Sequence, residues 1–142
     1  MTARHWESVS VGDVLTGEDY QVRRADLVRY AGAALDFNAI HWNERVASTV
    51  GLAGVIAHGM LMMAIGARFV TSWCGDPAAV RDYSVVIVRP LVVPDDDIGV
   101  AVSVGGTVRS VDPRVRTATI ALSALSSGQK ILGRATAVVG LD

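Results

Sequence analysis

The sequence predicts an α+β domain in which an antiparallel sheet wraps a long central helix. Residues 59–73 form an uninterrupted, helix-compatible, strongly apolar stretch. Four segments rich in Val, Ile and Thr follow it, at 83–93, 100–111, 117–125 and 131–139. They are separated by Pro94-Asp95-Asp96-Asp97, by Asp112-Pro113 and by Ser126-Ser127-Gly128, all turn signals, and so read as an antiparallel meander. Only that sheet can cover so apolar a helix. A chain of 142 residues suits one domain, spanning 1–142.

The elements follow in order. Trp6 to Gly12 reads as an arm leading into a turn at Gly12-Asp13. Glu18 to Val22 alternates as a first strand. Asp26 to Ala34 has helical spacing, with Leu27, Tyr30, Ala31 and Ala34 on one face and Tyr30 in a packing role. Residues 35–42 break both periods and carry Asp36, Asn38 and His41 among apolar neighbours. Asn43 is an N-cap for a short helix over 44–47, which Gly51 and Gly54 close off. Val55 to Ala57 is extended. On the central helix Met60, Met63, Ala64 and Ala67 mark one face, and Ala64, Gly66 and Ala67 let a sheet approach closely. Gly75-Asp76-Pro77 ends the helix. Arg89-Pro90, inside the next strand, signals a bulge or an edge.

Composition narrows the function classes. Hydrophobic residues make up 51% of the chain and the mean hydropathy is +0.38. A domain this small cannot hide so much apolar surface, which points to a subunit interface, an acyl-sized cavity or both. The formal charge of -1 gives no basic field for nucleic acid. Asp95-Asp96-Asp97 reads as a solvated turn. A single cysteine, Cys74, permits neither an internal disulfide nor a cysteine metal site, and it reads as a packed residue in a reducing, cytoplasmic protein. Met1 to Glu7 has no apolar core of the signal-peptide kind. The apolar run 51–67 is shorter than the ~20 residues of a spanning helix and contains His58 and several glycines, so a buried helix is expected.

Asp36 and His41 are the candidate chemistry. Five residues apart, they would diverge on one helix and converge only if the loop folds back. Asn38 between them can hold such a loop through its side chain. A carboxylate and an imidazole sharing a pocket can divide acid and base roles. The alternative is that Asp36 caps the following turn and His41 is a hydrogen-bonded core histidine. Gly59 opens the long helix, whose first amides lack internal partners and can polarise a carbonyl. A tight entry turn would also explain that glycine. His58 reads as a capping or packing group. The histidines and Asp36 show no recognised metal-ligand spacing, no serine stands in a nucleophile elbow, and no Gly-rich phosphate loop occurs.

Tyr30 to Trp42, with Ala47 six residues after His41, resembles the signature of the MaoC-like (R)-specific hydratases, a Gly-Asp-x-Asn-Pro-x-His core followed by a small residue. Ala57-His58-Gly59-Met60 is similar to the family's second motif. The likeness extends over the whole chain. Ile40-His41-Trp42, Ala57-His58-Gly59-Met60 and Val70-Thr71-Ser72-Trp73 are most similar to the catalytic B subunits of actinobacterial (3R)-hydroxyacyl-ACP dehydratases. The resemblance implies a hot-dog fold and reversible dehydration of (3R)-hydroxyacyl thioesters to trans-2-enoyl thioesters. It implies catalysis by Asp36 and His41, with Asn38 ordering the loop and the Gly59 amide on the thioester carbonyl. No cofactor and no metal are expected. Leu35 stands where the family usually has Gly, and Ala39 where it usually has Pro.

Two other roles compete: an acyl-chain-binding hot-dog subunit that supports a catalytic partner, and a hot-dog thioesterase. Family members with the first role typically lack the Asp/His pair. Those with the second usually carry a carboxylate on the central helix, and residues 59–73 have none. The expected partners are an acyl-ACP or acyl-CoA substrate and a second hot-dog subunit, identical or different, that extends the sheet into a dimer. Arg68, Arg114, Arg116 and Lys130 are candidate contacts for an acidic carrier protein.

Overall fold

The computed structural model describes residues 4–142. Met1 to Ala3, part of the segment read as lacking a signal-peptide core, lie outside the described residues. The elements are β1 (Val14–Val22), α1 (Arg24–Ala34), a 3-10 turn (Ala39–His41), α2 (Glu44–Thr49), α3 (Gly59–Cys74), β2 (Val80–Ile87), β3 (Val100–Asp112), β4 (Thr117–Ser126), β5 (Gln129–Lys130) and β6 (Leu132–Gly140). The strands form one antiparallel sheet in the order β1-β3-β4-β6-β2, with β5 paired to β4. Burial alternates strictly along β4, where Ala118, Ile120, Leu122 and Ala124 point into the core. No helix among the described residues is long and apolar enough to cross a membrane.

The expected meander holds only from β3 to β6. The strand before it, β2, lies at the far edge against β6 rather than beside β3. It also stops at Ile87, not at Val93. Beyond Ile87 the Val88 amide still bonds the Ile131 carbonyl at 3.0 Å, just before β6, and the chain then turns away at Arg89-Pro90. Proline has no amide for a ladder. Residues 91–93 instead pair with 55–57, through Ala57 N–H to Leu91 O at 2.8 Å and Val93 N–H to Val55 O at 2.9 Å. At the other edge β1 starts at Val14, four residues before the predicted strand, with a register shift between Leu15 and Glu18.

The face of α3 that meets the sheet also differs from the predicted one. Met62, Gly66, Phe69, Val70 and Cys74 are buried, whereas Met60 and Ala64 are exposed. Residues 60–67 are apolar on every side, so their pattern could not choose a face. Gly66 chooses it. The Tyr83 ring crosses α3 there and its hydroxyl donates to the Met63 carbonyl at 2.8 Å. A Cβ on Gly66 would collide with that hydroxyl. Burial pushes the Tyr83 hydroxyl up to about 12, so it remains a donor. Gly75, left-handed at φ 79°, caps α3, and its amide bonds the Thr71 carbonyl.

On α1, Leu27 and Ala31 are buried, Tyr30 is half-buried and Ala34 is exposed. Asp26 accepts the Arg23 amide at 2.9 Å and so caps the helix start. The helix ends on Leu35, held at φ 56°, ψ 28° and exposed to solvent. That is a left-handed cap filled by a branched residue with little packing to offset its cost. Leu35→Gly is therefore expected to raise stability by about 1 kcal/mol, read as a higher midpoint in urea with an unchanged m-value.

Candidate functional site

The loop after α1 is built from short-range hydrogen bonds. Asp36 Oδ1 accepts the Asn38 amide at 3.2 Å, and Asn38 Oδ1 accepts the Ile40 amide at 3.3 Å. The Trp42 indole donates to the Phe37 carbonyl at 3.0 Å. Asn43 Oδ1 then accepts the Val46 amide at 3.1 Å and starts α2. A salt bridge at 2.6 Å joins Glu44 on α2 to Arg24 on α1, and Arg24 Nε donates to the Val93 carbonyl. Both helices and the 91–93 segment are thus tied beneath the loop. Ala39, in the place of the usual proline, opens the 3-10 turn behind Asn38, whose ψ of 125° a following proline would also require.

The folded loop brings Asp36 and His41 together at the start of α3, as convergence demanded. Asp36 is exposed and His41 is buried. His41 Nδ1 lies 2.7 Å from the Ile56 carbonyl. A carbonyl only accepts, so Nδ1 carries the proton and the free lone pair of a neutral His41 sits on Nε2. The alternative sequence reading is also visible here, since Asp36 does cap a turn and His41 is hydrogen-bonded. Each nevertheless keeps a free atom for chemistry: the second carboxylate oxygen and Nε2.

His58 is 1% exposed and precedes α3. It holds the N-cap position, but its side chain makes no capping bond, so of the two roles the sequence allowed its ring serves packing. Its ring stacks on His41 with centroids 3.8 Å apart and planes 24° apart, and the Tyr30 ring packs against it at 4.9 Å. Nε2 lies 3.2 Å from the Asp36 carbonyl and therefore donates to it. Burial pushes His58 below its ordinary value of 6.5; a charge on His41 would act the same way, and the Asp36 carbonyl and carboxylate oppose.

One donor atom from each of Asp36, His41 and His58 lies within 4.8 Å of the others. The two rings are stacked 3.8 Å apart, so their lone pairs lie in nearly parallel planes and do not converge on one point at the ~2.0–2.1 Å of a zinc-bound imidazole. Proton chemistry is the better use of this cluster.

A cavity of about 300 Å³ opens beside His41 and Gly59, walled by Ile56, Met62, Ile87 and Leu91. The His58 carbonyl accepts the Leu61 and Met62 amides at 3.0 and 3.2 Å. Among the described residues the Gly59 and Met60 amides have no acceptor. A Cβ on Gly59 would have only Ile87 Cγ1 within 4 Å, at 3.7 Å. The fold itself does not need glycine there; its absent side chain leaves room against the free amides.

Sequence reasoning missed the far wall, Ile87 to Leu91. The only signal was Arg89-Pro90, which marked where a strand must break. Arg89 lines the cavity. Of the basic residues proposed as carrier contacts, Arg114 and Arg116 lie in the β3–β4 turn, next to the Val80 end of β2. That is about 20 Å from Ile87 at ~3.3 Å per residue. Arg68 faces the Tyr20 ring at 5.6 Å.

A histidine whose value is lowered in the folded state takes its proton first in the unfolded state. The contribution of a neutral His58 is thus complete above 6.5 and declines as pH falls below it. Unfolding free energy measured by urea titration between pH 7.5 and 5 should fall more steeply for the native protein than for His58→Gln. Equal slopes would refute burial of a neutral His58.

The family model described as "MaoC like domain" matches residues 8–126. A solved structure described as a MaoC-like dehydratase is 43% identical over 99% of this chain, with a TM-score of 0.95; this chain spans 43% of that one. An (R)-hydratase from A. caviae involved in PHA biosynthesis is 20% identical, covers 96% of this chain and 99% of its own, and has a TM-score of 0.83. The ChsH1-ChsH2 complex from Mycobacterium tuberculosis supplies a chain 20% identical over 94% of this one and 98% of its own, with a TM-score of 0.81. No curated protein matches. The antiparallel sheet packed on α3 is the hot-dog fold these structures share. On the family match over residues 8–126 and the 43% identity, the chain belongs to the MaoC-like domain family.

Proposed function

We propose that this protein is a hydro-lyase that interconverts trans-2-enoyl and (3R)-hydroxyacyl thioesters in fatty-acid or related acyl-chain metabolism. The observation that carries the reading is that His41 and the free Gly59 amide line one apolar cavity while the Asp36 carboxylate lies within 4.8 Å of the His41 imidazole. In hydration, water adds its oxygen to Cβ and a proton reaches Cα. Asp36 and His41 divide these two proton transfers, and Asn38 orders the loop that carries them. The Gly59 amide, at the positive end of α3, stabilises the enolate that develops on the thioester carbonyl. One such donor is worth about 3 kcal/mol. No cofactor enters these steps. Within the family, the B-type subunits of (3R)-hydroxyacyl-ACP dehydratases are the proposed relatives in function, and residues 1–142 are proposed as one hot-dog domain. The substrate carrier is ACP or CoA, in the cytoplasm.

The protein acts as a dimer in this reading. β1 and β2 leave both sheet edges open, and Val86, Ile87 and Val88 are exposed at the β2 edge beside the cavity. The partner is a second copy or, by analogy with the ChsH1-ChsH2 complex, a different hot-dog subunit.

Purified protein given a trans-2-enoyl-CoA should consume the conjugated enoyl absorbance. Asp36→Asn and His41→Ala should each lower kcat by about 10²–10⁴-fold. Activity retained in both variants would sink the mechanism. Light scattering on a gel-filtered sample should give a multiple of the 15.0 kDa chain mass, and a monomer with full activity would remove the dimer from the proposal.

A further inference from the structure

His58 is the most buried polar side chain beside Asp36 and His41, and the proposed mechanism leaves it unused. It touches every part of the pair. Its ring lies face to face with His41 at 3.8 Å, its Nε2–H donates to the Asp36 carbonyl at 3.2 Å, and its own carbonyl accepts the Leu61 and Met62 amides of α3. Tyr30 from α1 closes the other side. Nδ1 is buried and has no hydrogen-bond partner among the described residues. A leucine or phenylalanine would fill this space without stranding a nitrogen, so packing alone does not account for the imidazole.

We propose that His58 is a positioning residue, whose stacked face sets the His41 ring and whose Nε2–H fixes the main chain at Asp36, holding both proton-transfer groups in register with the α3 amides. The proposal rests on the reading of Asp36 and His41 as the acid–base pair. The charged and titratable groups facing His58 are His41 from the 3-10 turn, Asp36 from the loop and Tyr30 from α1. Burial keeps His58 neutral, so it does not repel a proton transiently held on His41.

Three variants of the full chain separate the two contacts. His58→Phe keeps a stacking face and loses the donor. His58→Gln keeps a donor and loses the face. His58→Leu loses both. Each is assayed with trans-2-enoyl-CoA for kcat and KM, melted for Tm, and examined by proton–nitrogen NMR for the tautomer and titration of His41. A displacement of about 1 Å costs on the order of 100-fold, so His58→Leu should lose about that factor in kcat with little change in KM. Its His41 signals should leave the Nδ1–H tautomer, and the Phe and Gln variants should fall between. Folded His58→Leu with native kcat and native His41 signals would overturn the proposal, as would a loss confined to Tm. If His58→Leu does not fold, native kcat and His41 signals in both other variants overturn it. If the native protein does not turn over the thioester, the proposed function fails, while the His41 spectra still decide whether His58 positions that ring.

Discussion

The main chain of Ile56 is the constraint on which the site depends. Its amide donates to the Ile40 carbonyl at 3.2 Å, and its carbonyl receives His41 Nδ1–H at 2.7 Å. One residue therefore fixes both the path of the loop and the tautomer of the imidazole. Ile56 is itself held by a bridge to Val92, and its neighbours Val55 and Ala57 pair with Val93 and Leu91. These bonds lie in a partly dry interior, where an unmade one would cost about 1–3 kcal/mol, so the arrangement resists slippage. The break at Arg89-Pro90 is what frees residues 91–93 to do this. Had β2 run on to Val93, the 55–57 segment would have no partner and His41 no fixed acceptor.

The start of α3 supplies the second half of the site at little structural expense. Every helix exposes its first amides, and here Gly59, which carries the earliest, lines an apolar cavity beside the imidazole. Dipole, cavity and proton donors thus share one corner of the fold. The loop reaches that corner without the glycine and proline common in the family. Leu35 adopts the left-handed angle that glycine would take freely, and Asn38, Trp42 and Asn43 supply hydrogen bonds where a proline ring would supply stiffness.

Much of this was readable from residue order. Asn43 as a cap, Gly75 as a helix stop, the Asp95–Asp97 turn and the three strands from Val100 onward follow from short-range chemistry, which the local sequence states directly. Asp36, Asn38, His41 and Gly59 were singled out for their types and setting, although spacing alone left their convergence open. The misjudged face of α3 has a plain cause. Residues 60–67 are apolar all round, and only the arrival of Tyr83 over Gly66 selects a side. Strand order failed likewise, because β2 and β6 are distant in sequence and nothing local in either marks the other as its partner.

By itself, then, the sequence determined the elements, the turn chemistry and the residue types at the candidate site, since these depend on neighbours within a few positions. Only the tertiary structure decided that β2 lies on the far edge, that Ile87 to Leu91 wall the cavity, and that the His58 ring stacks on His41 rather than bonding the α3 amides. Those contacts join residues 17 to 59 positions apart. Which pairs form is settled by competition among all buried surfaces and hydrogen bonds at once. The feature first noticed as two ionisable groups in an aperiodic loop becomes, in three dimensions, two groups held by one main-chain clamp and one buried imidazole.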